Sequence, residues 1–260
     1  MKALLLCDSR HPEEVARLCT ARGLGMEMQS FYDPTYVERE SGAIELHRRA
    51  VEAVPLRALH APFWDLCPGS RDPRVQELAR ERMERACSIA QALSAEHVVV
   101  HHAFIPHMHK EGEYLERSLP FWDALFDEAP AGLHFHVENI LDEEPEGLAA
   151  LVDRIGRANV DVNLDVGHAH CFSKIPVVEW IARLGERIGY AHLHANHGER
   201  DEHLALGEGT LPMREACEAL NRHAPGALWA VECEAEDLEA ALAWLEENGF
   251  IEAAEKKVRT

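Results

Sequence analysis

Leu133-His134-Phe135-His136-Val137-Glu138 alternates apolar and polar residues. Successive side chains of a strand point to opposite faces, so His134, His136 and Glu138 share one face while Phe135 and Val137 share the other. What surrounds the stretch decides which face looks inward. Seven more short apolar runs read as strands: Ala3 to Cys7, Gly25 to Gln29, Leu56 to His60, His97 to His101, Val160 to Asp165, Ile188 to His192 and Ala227 to Glu232. Amphipathic stretches separate them. In the one from Asp72 to Ala92, residues Val75, Leu78, Ala79, Met83, Ala86, Ile89 and Ala90 recur at the spacing of one buried helical face. Eight strand-helix pairs predict a single (β/α)8 barrel, an α/β fold that runs to about 250 residues as one domain. In that fold Phe135 and Val137 meet the helices, and the polar triplet faces the barrel axis. The rival, an open doubly wound sheet, announces itself by a glycine-rich first turn; here that turn is Cys7-Asp8-Ser9-Arg10-His11-Pro12.

A barrel builds its active site at the C-terminal ends of its strands. The expected ends are His60, His101, Glu138, Asp165, His192 and Glu232 for strands three to eight. With 46 Asp and Glu and 17 His among 260 residues, six ligand-type ends in succession exceed chance. A lone interior His or Asp is usually a hydrogen-bonded structural residue, but a matched series is what a site requires and a core does not. Convergent carboxylates and imidazoles with little positive charge among them call for a divalent cation. His168, in Asp165-Val166-Gly167-His168, and Asp201 and His203, in Asp201-Glu202-His203, overhang the same rim. Phe63 and Trp64, just after His60, are placed either to pack or to form an apolar wall for a sugar. Gly207-Glu208-Gly209-Thr210 reads as an anion cradle or as a turn with Thr210 as helix N-cap. Lys110, Lys174 and Arg200 are the basic residues best placed for an anionic substrate. His102, His107, His109, His170, His194 and His197 enrich the rim without an assigned role.

Charge narrows the function. With 26 basic against 46 acidic side chains the net charge is −20, which repels phosphate backbones and anionic lipid alike and argues against nucleic-acid or membrane partners. The apolar run at the start is too short for a signal-peptide core or a span. Seven dispersed cysteines without a C-x-x-C pair read as reduced thiols. These features predict a cytoplasmic protein. The whole chain, 1–260, reads as one domain with a charged tail over 252–260, and the oligomeric state is left open, a homo-oligomer included.

His60-Ala61-Pro62, Val99-Val100-His101, Val137-Glu138-Asn139, Leu164-Asp165-Val166-Gly167-His168, His192-Leu193-His194-Ala195-Asn196, the segment from Asp201 to Gly209 and Val231-Glu232 occur in this order. Together they resemble the xylose isomerase-like barrel superfamily, which includes sugar isomerases and epimerases, dehydratases and endonuclease IV. The resemblance implies one divalent metal held by Glu138, Asp165, His192 and Glu232. It further implies up to three ions, as in endonuclease IV, when His60, His101, His168, Asp201 and His203 join the set. Carboxylate-rich ligation favours Mn²⁺ or Mg²⁺, and the surrounding histidines favour Zn²⁺. The activity it implies is isomerisation or epimerisation of a small sugar or sugar phosphate through a metal-stabilised enediolate, with Glu138 and Glu232 exchanging the proton. The alternatives are an endonuclease IV-like zinc phosphodiesterase and a metal-dependent dehydratase. The net charge and the acidic loop Asp142-Glu143-Glu144 oppose the phosphodiesterase.

Overall fold

In the computed structural model, which describes residues 3–252, eight parallel strands pair in sequence order and close on themselves. They are β1 (Leu4–Cys7), β2 (Gly25–Met28), β3 (Arg57–His60), β4 (His97–His101), β5 (His134–Glu138), β6 (Val160–Asp165), β7 (Ile188–Leu193) and β8 (Leu228–Val231). The main helices packed around them are α1 (Pro12–Arg22), α2 (Tyr36–Arg39), α3 (Ala43–Ala50), α4 (Pro73–Ala92) and α5 (Glu111–Glu128). The rest are α6 (Glu146–Ile155), α7 (Val166–Phe172), α8 (Val177–Leu184), α9 (Met213–His223) and α10 (Leu238–Glu247). This is the (β/α)8 barrel expected from the alternation.

The two faces of β5 divide as the sequence dictates. Phe135 and Val137 are buried in the layer between strands and helices, with Val98, Val100, Val162 and Leu164 from neighbouring strands. Leu5, Cys7, Ala58, Val99, Tyr190 and Ala230 fill the axis as a separate small cluster. Helix α4 shows how local chemistry sets an element: Asp72 stands outside it as N-cap, accepting from the Arg74 N–H at 2.9 Å, and Pro73 opens its first turn. Asp72 therefore belongs to the cap and not to the helix.

Register is what positions the site. His101 pairs with Glu138, Glu138 with Asn163 and Asp165 with His192, so ligand-type side chains from adjacent strands arrive at one level. Strand ends depart from expectation by single residues. β7 continues past His192 to Leu193, and β8 stops at Val231, although the Glu232 N–H still donates to the Leu193 carbonyl at 2.9 Å. Gln29, expected to close β2, instead opens a short helical turn over Gln29–Tyr32. Glu252 is exposed, and residues 253–260 of the expected tail lie outside the described residues. Among the described residues no helix is long and apolar enough to cross a membrane.

Candidate metal centre

All nine residues expected to bind metal meet at the C-terminal mouth. Glu138 is central and buried. Its Oε2 lies 3.4 Å from His60 Nε2, 3.3 Å from His101 Nε2 and 3.5 Å from His192 Nδ1, and it accepts from Asn163 Nδ2 at 2.9 Å. His168 Nδ1 is 3.4 Å from Glu138 Oε1. Asp165 Oδ2 stands 3.7 Å from His192 Nδ1, and Glu232 Oε2 stands 3.0 Å from the same nitrogen. On the rim, Asp201 Oδ2 is 3.3 Å from His168 Nε2 and 3.0 Å from His203 Nε2.

Local sequence explains these placements. In Asp165-Val166-Gly167-His168, Asp165 caps α7 by accepting the His168 N–H at 2.6 Å, which ties the end of β6 to the imidazole three residues on. Gly167 is required by packing, because a Cβ there would sit 2.0 Å from His194 Cε1. His60 Nδ1 bonds the Ala61 carbonyl at 2.9 Å, which leaves Nε2 for Glu138. His203 Nδ1 bonds the Glu232 carbonyl at 2.8 Å, which leaves Nε2 for Asp201. His203 does so with φ of 50°, a left-handed conformation costly for a non-glycine residue.

Two residues outside the expected set belong to this centre. Glu27, in mid-β2 and fully buried, lies 3.0 Å from His192 Nε2 and accepts from Tyr190 OH at 2.7 Å. It fixes the His192 ring so that Nδ1 faces Glu138, Asp165 and Glu232, the arrangement by which an outer carboxylate orients a metal-binding imidazole. His194 puts Nε2 3.1 Å from Asp165 Oδ1 and 3.6 Å from Asp201 Oδ1, and stacks on His203 at 4.1 Å. Alternation gave a signal for both: Glu27 is the lone charge between Met26 and Met28, and His194 falls two residues after His192.

A divalent cation fits this donor set. His192 Nδ1 and Glu232 Oε2 are buried, face each other at 3.0 Å, and neither makes a hydrogen bond. Their orphaned lone pairs are what an ion would take up. The electrostatics carry the same demand for positive charge. Burial pushes the Glu138 carboxyl up, but His101 and His192 outweigh it and hold it well below the usual range. Burial pushes His192 down, and Glu232, Glu27 and Glu138 carry it well above its ordinary value. Burial likewise disfavours charge on His203, yet Glu232 and Asp201 raise it to about 10.

Above the cluster opens a cavity of about 380 Å³ whose lining includes Arg10, Tyr32, Phe63 and Trp64. Phe63 stacks on His101 at 4.2 Å, and Trp64, 54% exposed, packs beside Tyr32. Arg10 is the cation in that lining; Lys110, Lys174 and Arg200 are not part of it. Thr210 is not a helix cap, because Leu211 intervenes and Pro212 precedes α9 with no side-chain bond. Its N–H instead donates to the Asn196 carbonyl, in a turn where a Cβ on Gly209 would lie 2.2 Å from that oxygen.

A family model described as xylose isomerase-like TIM barrel matches residues 19–253. The chain belongs to that family. The TTHB071 protein from Thermus thermophilus, solved after soaking with ZnCl₂, is 30% identical with a TM-score of 0.77, covering 96% of this chain and 98% of that one. A D-tagatose 3-epimerase-like protein is 24% identical with a TM-score of 0.76, covering 96% and 97%; at that identity it shows the fold. Uncharacterized protein MJ1311 of Methanocaldococcus jannaschii is 33% identical over 172 residues, covering 62% of this chain and 59% of its own length. The chain spans about three fifths of the length of the curated relatives it matches.

Proposed function

We propose that the protein is a divalent-metal-dependent isomerase or epimerase of a small sugar or sugar phosphate. The observation that carries this reading is the pair Glu138 and Glu232, one from β5 and one just past β8, whose carboxylates converge on His192 Nδ1 at 3.5 and 3.0 Å. Glu138, Asp165, His192 and Glu232 would hold the ion, which supplies positive charge to polarise the carbonyl and adjacent hydroxyl oxygens of a bound sugar.

In this reading the chain's own residues do the rest. A carboxylate oxygen of either Glu138 or Glu232 takes the carbon-bound proton and the other carboxyl returns one from the opposite side, the choice depending on substrate handedness. Gln29 Nε2 donates to Glu232 Oε1 and leaves Oε2 to face the ion, while Asn163 Nδ2 donates to Glu138 Oε2, the oxygen on the His192 side, and so fixes the orientation of that carboxylate. Tyr32, Phe63 and Trp64 supply the wall against which the C–H face of a sugar packs and water is excluded. A dehydratase would use the same proton abstraction.

A second reading, an endonuclease IV-like zinc phosphodiesterase, draws on the further donor groups His60–His101–Glu138 and His168–His194–Asp201–His203, each close enough to share an ion. The mouth disfavours it, since Glu138, Asp201, Glu232 and Glu234 line the cavity against the single guanidinium of Arg10. The deciding experiment is elemental analysis followed by an NMR screen of ketoses, aldoses and their phosphates in deuterated water with Mn²⁺, Mg²⁺ or Zn²⁺. We expect deuterium to enter a sugar at the carbon beside its carbonyl. Cleavage of abasic DNA without such exchange, with three zinc ions bound, would replace the isomerase reading.

A further inference from the structure

The other end of the barrel carries a second cluster of imidazole and carboxylate. His97 opens β4 and His134 opens β5, while His136 stands third in β5 and Asp161 second in β6. The three rings stack, His97 on His136 at 5.1 Å and His134 on His136 at 4.8 Å, with interplanar angles of 20° and 14°. Asp161 joins them: Oδ2 lies 2.7 Å from His134 Nε2, and Oδ1 lies 2.5 Å from His136 Nδ1. The remaining nitrogen of His136, Nε2, is 2.9 Å from His97 Nδ1. Gly189 completes the arrangement. It has no partner in the β6–β7 register, where the pairing slips between Val162 and Asn163, and a Cβ on it would sit 1.7 Å from Asp161 Oδ2. The carboxylate therefore occupies space that only glycine leaves.

We propose that this floor is a separate site for one transition-metal ion of the zinc class, bound by His134 Nε2, His136 Nδ1 and Asp161. The three donor atoms already lie within 4.8 Å of one another, so small rotations close them on a common centre. Two imidazoles and one carboxylate suit a borderline ion such as Zn²⁺, whereas Mg²⁺ and Ca²⁺ want oxygen. His97 serves as the outer partner: when His136 Nδ1 faces the ion, its Nε2 carries the proton and donates to His97 Nδ1, fixing the ring. Access is open, the side chains of His134 and Asp161 being 33% and 20% exposed, and water takes the remaining position. Without an ion, His134 and His136 donate to Asp161, and binding requires each ring to carry its proton on the other nitrogen. His134 stands four positions before Glu138 on β5, roughly 13 Å along the strand, and His136 two positions, roughly 7 Å, so each ion keeps its own donors.

The test uses a full-length chain disabled at every donor group of the mouth by Glu138→Gln, Asp165→Asn, Asp201→Asn and Glu232→Gln, and the same chain with His134→Ala added. After equilibration with zinc and gel filtration, the first is expected to retain one zinc per chain and the second none, because His134→Ala removes one of the three ligands. Cobalt(II) in the first should give the visible absorption of a four-coordinate site, lost in the second. Equal zinc in both, or none in the first, overturns the proposal. If the mouth variants fail to fold, zinc-soaked crystals of the parent decide: an anomalous peak between His134, His136 and Asp161 supports the site, and its absence at full occupancy of the mouth overturns it. Failure here leaves the proposed function untouched, because none of the three floor residues touches the mouth cluster.

Discussion

At the mouth of the barrel Glu27, Glu138, Asp165, Asp201 and Glu232 crowd around the imidazoles, whereas at the floor Asp161 alone serves His97, His134 and His136. Burial disfavours the charged imidazole at both ends. At the mouth the carboxylates outweigh it for His168 and His192, which are held well above their ordinary range, while burial still prevails at His101, which faces Glu138 alone. At the floor burial prevails, and neighbouring rings add to it, so that His97 falls to about 4 and His136 also drops. The same residue type in the same barrel thus shifts in opposite directions, according to how many carboxylates face each ring. An ion arriving at the mouth displaces protons from His168 and His192; one arriving at the floor meets His97 and His136 shifted toward the neutral form.

The largest expected effect separates the ends by chemistry. Glu232→Gln keeps the volume and an oxygen that reaches the ion but removes the proton acceptor, so exchange at the sugar carbon should fall by roughly two to four orders of magnitude. His134→Ala at the floor should leave that exchange unchanged. Undiminished exchange in Glu232→Gln would reduce this glutamate to a structural role. A smaller effect concerns packing: Gly167→Ala and Gly189→Ala each drive a Cβ into a polar side chain and should lower stability by about 1–3 kcal/mol in chemical denaturation. Gly167→Ala, which displaces His194 from Asp165, should also weaken zinc at the mouth, and Gly189→Ala should not. Third, His168→Ala and His203→Ala should each keep one tightly held ion by elemental analysis, since in the proposed reading Glu138, Asp165, His192 and Glu232 would form a complete set without them. Loss of all metal in either variant would show that set to be too narrow.

The barrel was legible because Phe135 and Val137 can only be buried on one side of β5 and the strand ends repeat ligand-type residues. The convergence of the nine candidate residues at the mouth was legible for the same reason, each closing a strand or following one. Glu27 escaped because it sits in mid-strand, where asking what closes the strand does not look, and its partner His192 is 165 positions away. The floor escaped for a deeper reason. That His134 and His136 point inward is local information, but their meeting with His97 and Asp161 depends on the β4–β5 and β5–β6 registers, and the room for Asp161 depends on a register slip opposite Gly189. No local pattern encodes these. Thr210 misled because a Thr before a helix resembles a cap, while the turn is set by Gly209 packing on Asn196.

The smallest expected effect is a pH profile whose two limbs come from the two ends. In metal-free protein His203, raised from 6.5 to about 10, holds a proton in the folded state that the unfolded chain releases earlier. Its contribution is full below pH 6.5 and is lost as pH rises through 10. His97, lowered from 6.5 to about 4, behaves oppositely: the unfolded chain takes up a proton that the folded floor refuses. Its contribution is present above pH 6.5 and is lost as pH falls through 4. The melting temperature of chelator-treated protein should therefore decline on both sides of a near-neutral maximum. His203→Gln should flatten the alkaline limb and His97→Asn the acid limb. Zinc at the mouth should also flatten the alkaline limb, because the ion replaces the protons whose loss produces it, while the acid limb should persist wherever acid strips the floor. An alkaline limb unchanged by both zinc and His203→Gln would show that the carboxylates of the mouth do not govern its imidazoles, and the contrast between the two ends would fail.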